Sequence, residues 1–364
     1  MSLKIGIVGL PNVGKSTLFN ALTRSSMAAT ANFPFCTIDP NKGIVMVPDE
    51  RLKVLSDMIQ PDKVTGAVIE FVDIAGLVKG ASVGEGLGNQ FLSHIRECDA
   101  IALTLRFFED SGIIHVHNVI DPKADREILE AELILADIGT VEKKLDKARS
   151  EAKSGDKLKQ KYVTIVEKIY TALAEGKLAS EAKLDEKEKL EIKDLHLLTM
   201  KPFLYIANVS EEQLKTLTEE ILKEKSGLQP SKDLIAVSAK VEADLNTFSE
   251  EEAAQYLQEL GLKEKALDHL IRAAYKLLGL ETFFTAGKKE VRAWTIQKGA
   301  LAPQAAGVIH TDFEKGFIRA EVTGYNDYVA AGGELKAKEK GLTRQEGKAY
   351  QVKDGDVMFF KFNV

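Results

Sequence analysis

One nine-residue turn restricts this 364-residue chain to a narrow set of folds. Gly9-Leu10-Pro11-Asn12-Val13-Gly14-Lys15-Ser16-Thr17 contains the whole pattern G-x-x-x-x-G-K-S. The strand-like Ile5-Gly6-Ile7-Val8 precedes it, and Leu18-Phe19-Asn20-Ala21-Leu22 follows with helical spacing at Leu18, Ala21 and Leu22. That strand–loop–helix setting distinguishes a phosphate-binding loop from a chance match. The glycines let successive N–H groups turn inward to form an anion-binding concavity. The helix starting at the end of the loop adds its unpaired N–H groups and positive dipole end. Backbone and side chains of Asn12, Val13, Gly14, Lys15, Ser16 and Thr17 are the expected cradle. Lys15 is expected to reach the β- and γ-phosphates as a binding and catalytic charge, and the Ser16 hydroxyl to ligate Mg²⁺.

Four further elements follow in the order such a loop requires. Asp73-Ile74-Ala75-Gly76 closes the strand-like Val68-Ile69-Glu70-Phe71-Val72 and fits D-x-x-G. Asp73 would then hold a water on Mg²⁺, and the Gly76 N–H would meet the γ-phosphate. Residues 77–88 carry Gly80, Gly84, Gly86 and Gly88, a density that suits a loop ordered by the γ-phosphate. Thr37, in Phe33-Pro34-Phe35-Cys36-Thr37, is the candidate for completing the Mg²⁺ shell from a first switch loop. Phe203-Leu204-Tyr205-Ile206-Ala207 ends in Asn208-Val209-Ser210-Glu211, where a guanine-reading N-K-x-D would stand. Leu234-Ile235-Ala236-Val237 ends in Ser238-Ala239-Lys240, the place of a loop that backs the base. Together these predict a doubly wound, G-protein-like α/β domain.

Two positions depart from the guanine-specific pattern. An aspartate at the fourth position of N-K-x-D accepts both guanine N1–H and the N2 amine, which adenine cannot supply. Here that position is Glu211, and Val209 replaces the lysine. Either Glu211 substitutes and GTP is kept, or the base preference has moved to ATP. Leu77 stands where many GTPases place the glutamine that orients the attacking water. Asn12 either helps to hold a K⁺ ion, whose charge would act where an arginine finger otherwise does, or stabilises the loop itself.

Between Gly76 and Asn208 the chain exceeds what two βα units need, about 60 residues. Residues 141–200 hold 26 charges in 60 positions, 14 basic and 12 acidic. Ile134, Ile138, Val141, Leu145, Ala148 and Ala152 follow the steps of an a/d seam. Ser154-Gly155-Asp156 interrupts it, and Tyr162, Ile165, Val166, Ile169 and Leu173 resume it. An antiparallel helical hairpin is expected, as a solvated arm or a partner-binding one. Residues 281–364 predict a small mixed sheet with strands at 290–296, 317–322 and 357–362, the last in a hairpin with Tyr350-Gln351-Val352 across Asp354-Gly355-Asp356. Short helices are expected around Ala302–Ile309 and Tyr325–Ala331. Lys336, Lys338, Lys340, Arg344 and Lys348 either meet RNA phosphates or only keep the surface soluble. The division predicted is 1–128 with 199–280 as the NTPase domain, 129–198 as the helical insertion, and 281–364 as the C-terminal domain.

The net charge of −6 argues against polyanion binding by overall charge. Two cysteines, Cys36 and Cys98, are too few for a disulfide scaffold or a four-cysteine zinc site. Cys36 is read as an inert thiol despite its place beside Thr37. No apolar leader precedes the first strand and no stretch approaches ~20 apolar residues, so a cytoplasmic protein without a membrane partner is expected.

The phosphate loop, Asn32-Phe33-Pro34-Phe35-Cys36-Thr37, Asp73-Ile74-Ala75-Gly76-Leu77-Val78-Lys79-Gly80-Ala81 and Asn208-Val209-Ser210-Glu211 together resemble the YchF family of Obg-related P-loop NTPases, the Obg-like ATPases. The resemblance covers the whole chain, and its C-terminal part looks like a TGS domain of the β-grasp type. It implies ATP hydrolysis in preference to GTP, dependence on Mg²⁺, and association with ribosomes, at the large subunit or the assembled particle. RNA contact would come from the hairpin and the C-terminal domain. Leu77 matches the family's hydrophobic replacement of the glutamine. Ile113-Ile114-His115-Val116 resembles the loop in which the family carries a catalytic histidine. His115 is therefore either a group that orients water or a structural residue flanked by apolar neighbours.

Overall fold

The computed structural model describes residues 3–30, 41–74, 87–116 and 118–363. Cys36, Thr37, Gly76 and Leu77 lie outside the described residues, as do the rest of 31–40 and 75–86. The strands of the first sheet are β1 (Lys4–Gly9), β2 (Lys42–Met46), β4 (Val68–Asp73), β5 (Ala100–Arg106), β6 (Phe203–Asn208) and β7 (Leu234–Val237), while β3 (Lys63–Thr65) lies elsewhere. Their order is β2-β4-β1-β5-β6-β7, with β2 antiparallel and all others parallel.

Strands covered on both faces have no need to alternate, and every residue of β5 is buried. On one face, Leu18, Phe19 and Leu22 of α1 (Lys15–Thr30) join Leu52 and Leu55 of α2 (Glu50–Ile59) in a core with Ile5, Ile7 and Phe71. On the other, Phe91, Leu92 and Ile95 of α3 (Leu87–Arg96) pack with Leu103, Leu105, Leu129 and Leu133. The chain leaves β1 toward β4 on one side and β5 on the other. The carboxyl end of β1 is thus the switch point at which open α/β sheets bind ligands.

The hairpin consists of α4 (Pro122–Ala152) and α5 (Lys157–Ala174). Asp121 caps the first through Lys123 N and Ala124 N, and Asp156 caps the second through Leu158 N. Ile134, Val141, Leu145, Ile165, Val166, Ile169 and Leu173 form its seam, with Ile138 and Tyr162 half-buried beside it. Position 128/129 falls inside continuous helix: Leu129 and Leu133 belong to the NTPase core, while Val141 and Leu145 belong to the arm. A returning segment packs Leu178, Ala179, Ile192, Leu195 and Leu197 onto the same seam. The buried Asp137 carboxylate holds that segment by accepting from Leu198 N (2.9 Å), Thr199 N (2.8 Å) and Thr199 Oγ1 (2.7 Å).

The second sheet contains β8 (Leu280–Ala286), β9 (Glu290–Gln297), β10 (Phe317–Gly324), β11 (Arg344–Glu346) and β12 (Asp356–Phe362), ordered β11-β10-β12-β8-β9. β12 runs parallel to β8 and antiparallel to β10, the β-grasp arrangement. Helices form at Ala302–Ile309 and Tyr325–Ala331. The expected hairpin between 350–352 and β12 does not form. Gln351 makes an isolated bridge to Leu301, and β12 takes β10 and β8 as partners because Met358 and Phe360 then reach the apolar layer with Phe317 and Val322.

The sheet is completed by β3, which lies parallel to β9 with Thr65 opposite Arg292. Phe284, Val291, Tyr328 and Val357 share one apolar core with Ile5, Leu55 and Leu270. Arg51 ties the same junction, pairing with Asp49 and with Asp354 (2.6 Å) while lying 5.2 Å from the Phe284 ring centroid. Among the described residues no helix is long and apolar enough to cross a membrane.

Candidate functional site

The phosphate loop leaves β1 at Gly9 and delivers Lys15 as the first residue of α1. Two of its residues adopt the left-handed region, Asn12 at φ 64° and Gly14 at φ 87°. At Gly14 a Cβ would also collide with Asn208 Nδ2, so glycine is required there on two counts. Asn12 is fastened by its side chain, which donates to Ile114 O at 3.0 Å.

Asp73, at the carboxyl end of β4, faces the loop. The Lys15 ammonium is ion-paired with its carboxylate, and Ser16 Oγ donates to Asp73 Oδ2 at 3.1 Å. A hydroxyl and a carboxylate brought this close are hard oxygen donors of the kind Mg²⁺ takes beside phosphates. Among the described residues no group of three His, Cys, Asp or Glu side chains could hold a metal. Such a fold implies a divalent cation, and Ser16 with Asp73 fits one bound with the nucleotide rather than in a protein cage.

The side of the cavity away from Asp73 is built by β6 and β7. Asn208 is buried; its Nδ2 donates to Val13 O (2.8 Å) and its Oδ1 accepts from Ala239 N (3.1 Å). It thus joins the phosphate loop to the loop after β7. Val209 is buried and donates its N–H to Val237 O. Ser238 caps the helix Ala239–Leu245 and Lys240 is exposed. Glu211 opens the helix Glu211–Thr216, with one carboxylate oxygen accepting from Tyr256 Oη (3.1 Å) and the other ion-paired with Lys215 (3.4 Å). A cavity of about 1240 Å³ runs past these groups; its wall includes Asn12, Lys15, Asp73, Phe108, Glu211 and Lys240.

The segment after β5 closes the remaining side. Arg106, at the end of β5, is 1% exposed. It donates to Phe108 O (3.1 Å), Asn12 O (3.3 Å) and Ile113 O (2.9 Å), and its guanidinium lies 4.4 Å from the Phe108 ring centroid. Phe108 and Ile113 reach the cavity wall, whereas His115 is buried behind them with its Nε2 3.0 Å from Asp125 Oδ2 of α4. Sequence reasoning missed Arg106 and Phe108. The available signal was an arginine ending an apolar strand beside two aromatic positions. In the C-terminal part, Lys338 is paired with Glu321 and Glu334, and Arg344 with Glu346, so the basic cluster is partly neutralised.

A phosphate loop at the switch point of a doubly wound sheet, with a D-x-x-G aspartate at its side, makes this chain a P-loop NTPase of the G-protein class. A family model described as "50S ribosome-binding GTPase" matches residues 4–136, and one described as "Protein of unknown function (DUF933)", for the YchF C-terminal domain, matches 280–363. "Ribosome-binding ATPase YchF" of Bacillus subtilis (strain 168) is 51% identical over 367 residues, covering 100% of both chains. The protein of the same name from Escherichia coli O157:H7 is 52% identical over 370 residues, again with 100% of both covered. A solved structure, that of the Schizosaccharomyces pombe YchF GTPase, superposes with a TM-score of 0.90 at 41% identity, covering 99% of this chain and 98% of that one. The chain belongs to the YchF family.

Proposed function

We propose that this chain is a cytoplasmic ATPase that works on the ribosome as a nucleotide-dependent switch, binding ATP in preference to GTP. The observation that carries the base preference is the state of Glu211. A carboxylate that reads guanine must offer both oxygens to N1–H and N2, and those of Glu211 are engaged by Tyr256 and Lys215. Val209, buried in place of a lysine, removes the side chain that would flank the base. The ATPase and ribosome-binding names carried by full-length relatives support the same reading.

In this reading the loop N–H groups and Lys15 hold the triphosphate, and Lys15 exchanges Asp73 for phosphate oxygens when nucleotide enters. Ser16, Asp73 through water, and Thr37 would hold Mg²⁺, which offsets phosphate charge when bound. Gly76 would sense the γ-phosphate, and Asn208, Ser238, Ala239 and Lys240 would frame the base. A K⁺ ion would be held by the Asn12 side-chain oxygen, which the bond from the amide nitrogen to Ile114 O would orient. His115 would act on the attacking water after the 108–116 segment turns toward the cavity. The arm and the C-terminal sheet would meet ribosomal RNA, at the large subunit or the assembled particle.

GTP is the second reading, favoured by the name GTPase that the Schizosaccharomyces pombe relative carries. Calorimetric titration of nucleotide-free protein with ATP and with GTP in one Mg²⁺ buffer separates the two. ATP tighter by tenfold or more, about 1.4 kcal/mol, supports the ATPase reading, and GTP tighter by that margin overturns it.

A further inference from the structure

Arg106 is a buried cation whose acceptors are all backbone carbonyls. Among the described residues it forms no ion pair with a carboxylate, and its N–H groups go to Phe108 O, Asn12 O and Ile113 O. A guanidinium removed from water without a counter-charge is costly, and an apolar residue filling the end of β5 would serve stability better. The arrangement is therefore matched to something other than core packing. One of its bonds goes to the phosphate loop and two to the segment lining the opposite wall of the same cavity. The Asn12 side chain bonds back to Ile114 O, so loop and segment are joined twice. The planar fork of arginine spans several carbonyls at once, which a lysine ammonium cannot do in the same geometry.

We propose that Arg106 is a positioning residue for the nucleotide: it fixes the 108–114 wall to the phosphate loop. It acts on the cavity through the Phe108, Asn12 and Ile113 carbonyls that it holds. The proposal rests on the nucleotide-binding reading above. Phosphate occupancy and the placement of Phe108 and Ile113 then become one event, and base discrimination depends on a residue that touches no base.

The test is Arg106→Lys, which keeps the charge and removes the fork. ATP and GTP affinities are measured by calorimetry beside the wild type, with thermal melting and amide hydrogen exchange over 108–116. The expected result is an ATP Kd at least tenfold higher and an ATP-to-GTP ratio moved toward one. Exchange over 108–114 should be faster, while exchange over the hairpin seam at 141–173 stays unchanged. A folded Arg106→Lys protein with wild-type affinity and ratio overturns the proposal. If Arg106→Lys does not fold, Phe108→Leu decides. It removes the ring stacked on the guanidinium and keeps the backbone acceptors, and an unchanged ATP-to-GTP ratio in that variant also overturns it. A wild-type protein that prefers GTP refutes the ATP reading alone, and Arg106 is then judged by the loss of GTP affinity.

Discussion

Arg106 and Asn208 stand opposite each other on β5 and β6, and their side chains bind consecutive carbonyls of the phosphate loop. Arg106 donates to Asn12 O at 3.3 Å and Asn208 to Val13 O at 2.8 Å. Each also holds a wall of the cavity, Arg106 the segment after β5 and Asn208 the loop after β7 through Ala239 N. The backbone of the two strands adds Phe107 N to Asn208 O at 2.9 Å. The phosphate loop is thereby linked to two walls of the cavity through neighbouring strand ends, positions that a packed sheet holds more rigidly than a loop could.

Asn208→Ala leaves Val13 O and Ala239 N without their partner in a buried place. Unmet buried polar groups cost about 1–3 kcal/mol each. ATP affinity should fall at least tenfold, with a lower melting temperature. Asn208→Asp keeps the acceptor for Ala239 N but loses the donor to Val13 O and sets a carboxylate against that carbonyl, so it should bind ATP less well than the alanine variant. Calorimetry and thermal denaturation of both check the order.

Tyr256 restrains Glu211, and Tyr256→Phe releases one carboxylate oxygen without altering the fold around it. Burial and the carboxylate together push the Tyr256 phenol upward, as expected for a phenol that donates to a charged acceptor. Hydrogen bonds to charged groups are worth about 1.5–3 kcal/mol. GTP should therefore gain on ATP by severalfold in the variant. An unmoved ATP-to-GTP binding ratio would show that Glu211 is not kept from the base by this bond.

His115 and Asp125 form a pair in which both side chains are nearly inaccessible. His115→Ala should lower steady-state phosphate release at least tenfold while ATP affinity stays within about threefold, because positioned acid–base groups contribute about 10²–10⁴ to rate. The same change removes the His115 hydrogen bond to the Asp125 carboxylate, and hydrogen bonds to charged groups are worth about 1.5–3 kcal/mol, so the melting temperature should fall too. Lower stability with undiminished turnover would make the histidine structural. Asp125→Asn, which keeps a hydrogen-bonding partner for His115, should retain more of both properties.

The parts of the fold readable from sequence are those with local signals. β1, β4, β6 and β7 are apolar runs ended by polar or glycine residues, and the hairpin carries its heptad spacing and aspartate caps. β3 gave no such signal. It is three residues long, and its partner strand lies more than 200 positions later, with Thr65 Oγ1 donating to Glu290 Oε1 at 2.6 Å. The core shared between the two sheets was hidden for the same reason, since Phe284 and Val357 read equally well as the interior of a separate small domain. The misread strand at 350–352 followed a correct turn signal, Asp354-Gly355-Asp356, whose Asp356 carboxylate instead accepts from Lys353 N and Tyr350 Oη. At the site, spacing singled out Asn12, Lys15, Ser16, Asp73, Asn208 and Glu211, which line one cavity. Arg106 was not, because its meaning lies in three carbonyls that only the folded chain assembles.

Glu242 links stability to pH close to the loop after β7. It lies on the helix Ala239–Leu245, two residues after Lys240, and caps the helix Ala266–Leu277 by accepting from Ala266 N (2.7 Å). It is 1% exposed, among the described residues its Oε2 has no hydrogen-bond partner, and burial pushes its carboxyl up from 4.5 to about 7, against the lowering effect of the Ala266 and Leu267 amides. The folded state therefore holds a proton that the unfolded chain releases between those two values. Stability falls as pH rises wherever the folded state binds more protons, so the loss begins near pH 4.5 and is complete a little above 7. At 1.36 kcal/mol per pKa unit the full effect is roughly 3 kcal/mol. Glu242→Gln keeps the acceptor for Ala266 N and cannot ionise, so its melting temperature should vary less between pH 5 and 8 and exceed that of the wild type at pH 8. Thermal denaturation of both proteins across that range checks it, and parallel curves would mean that Glu242 ionises in the folded chain as readily as in the unfolded one.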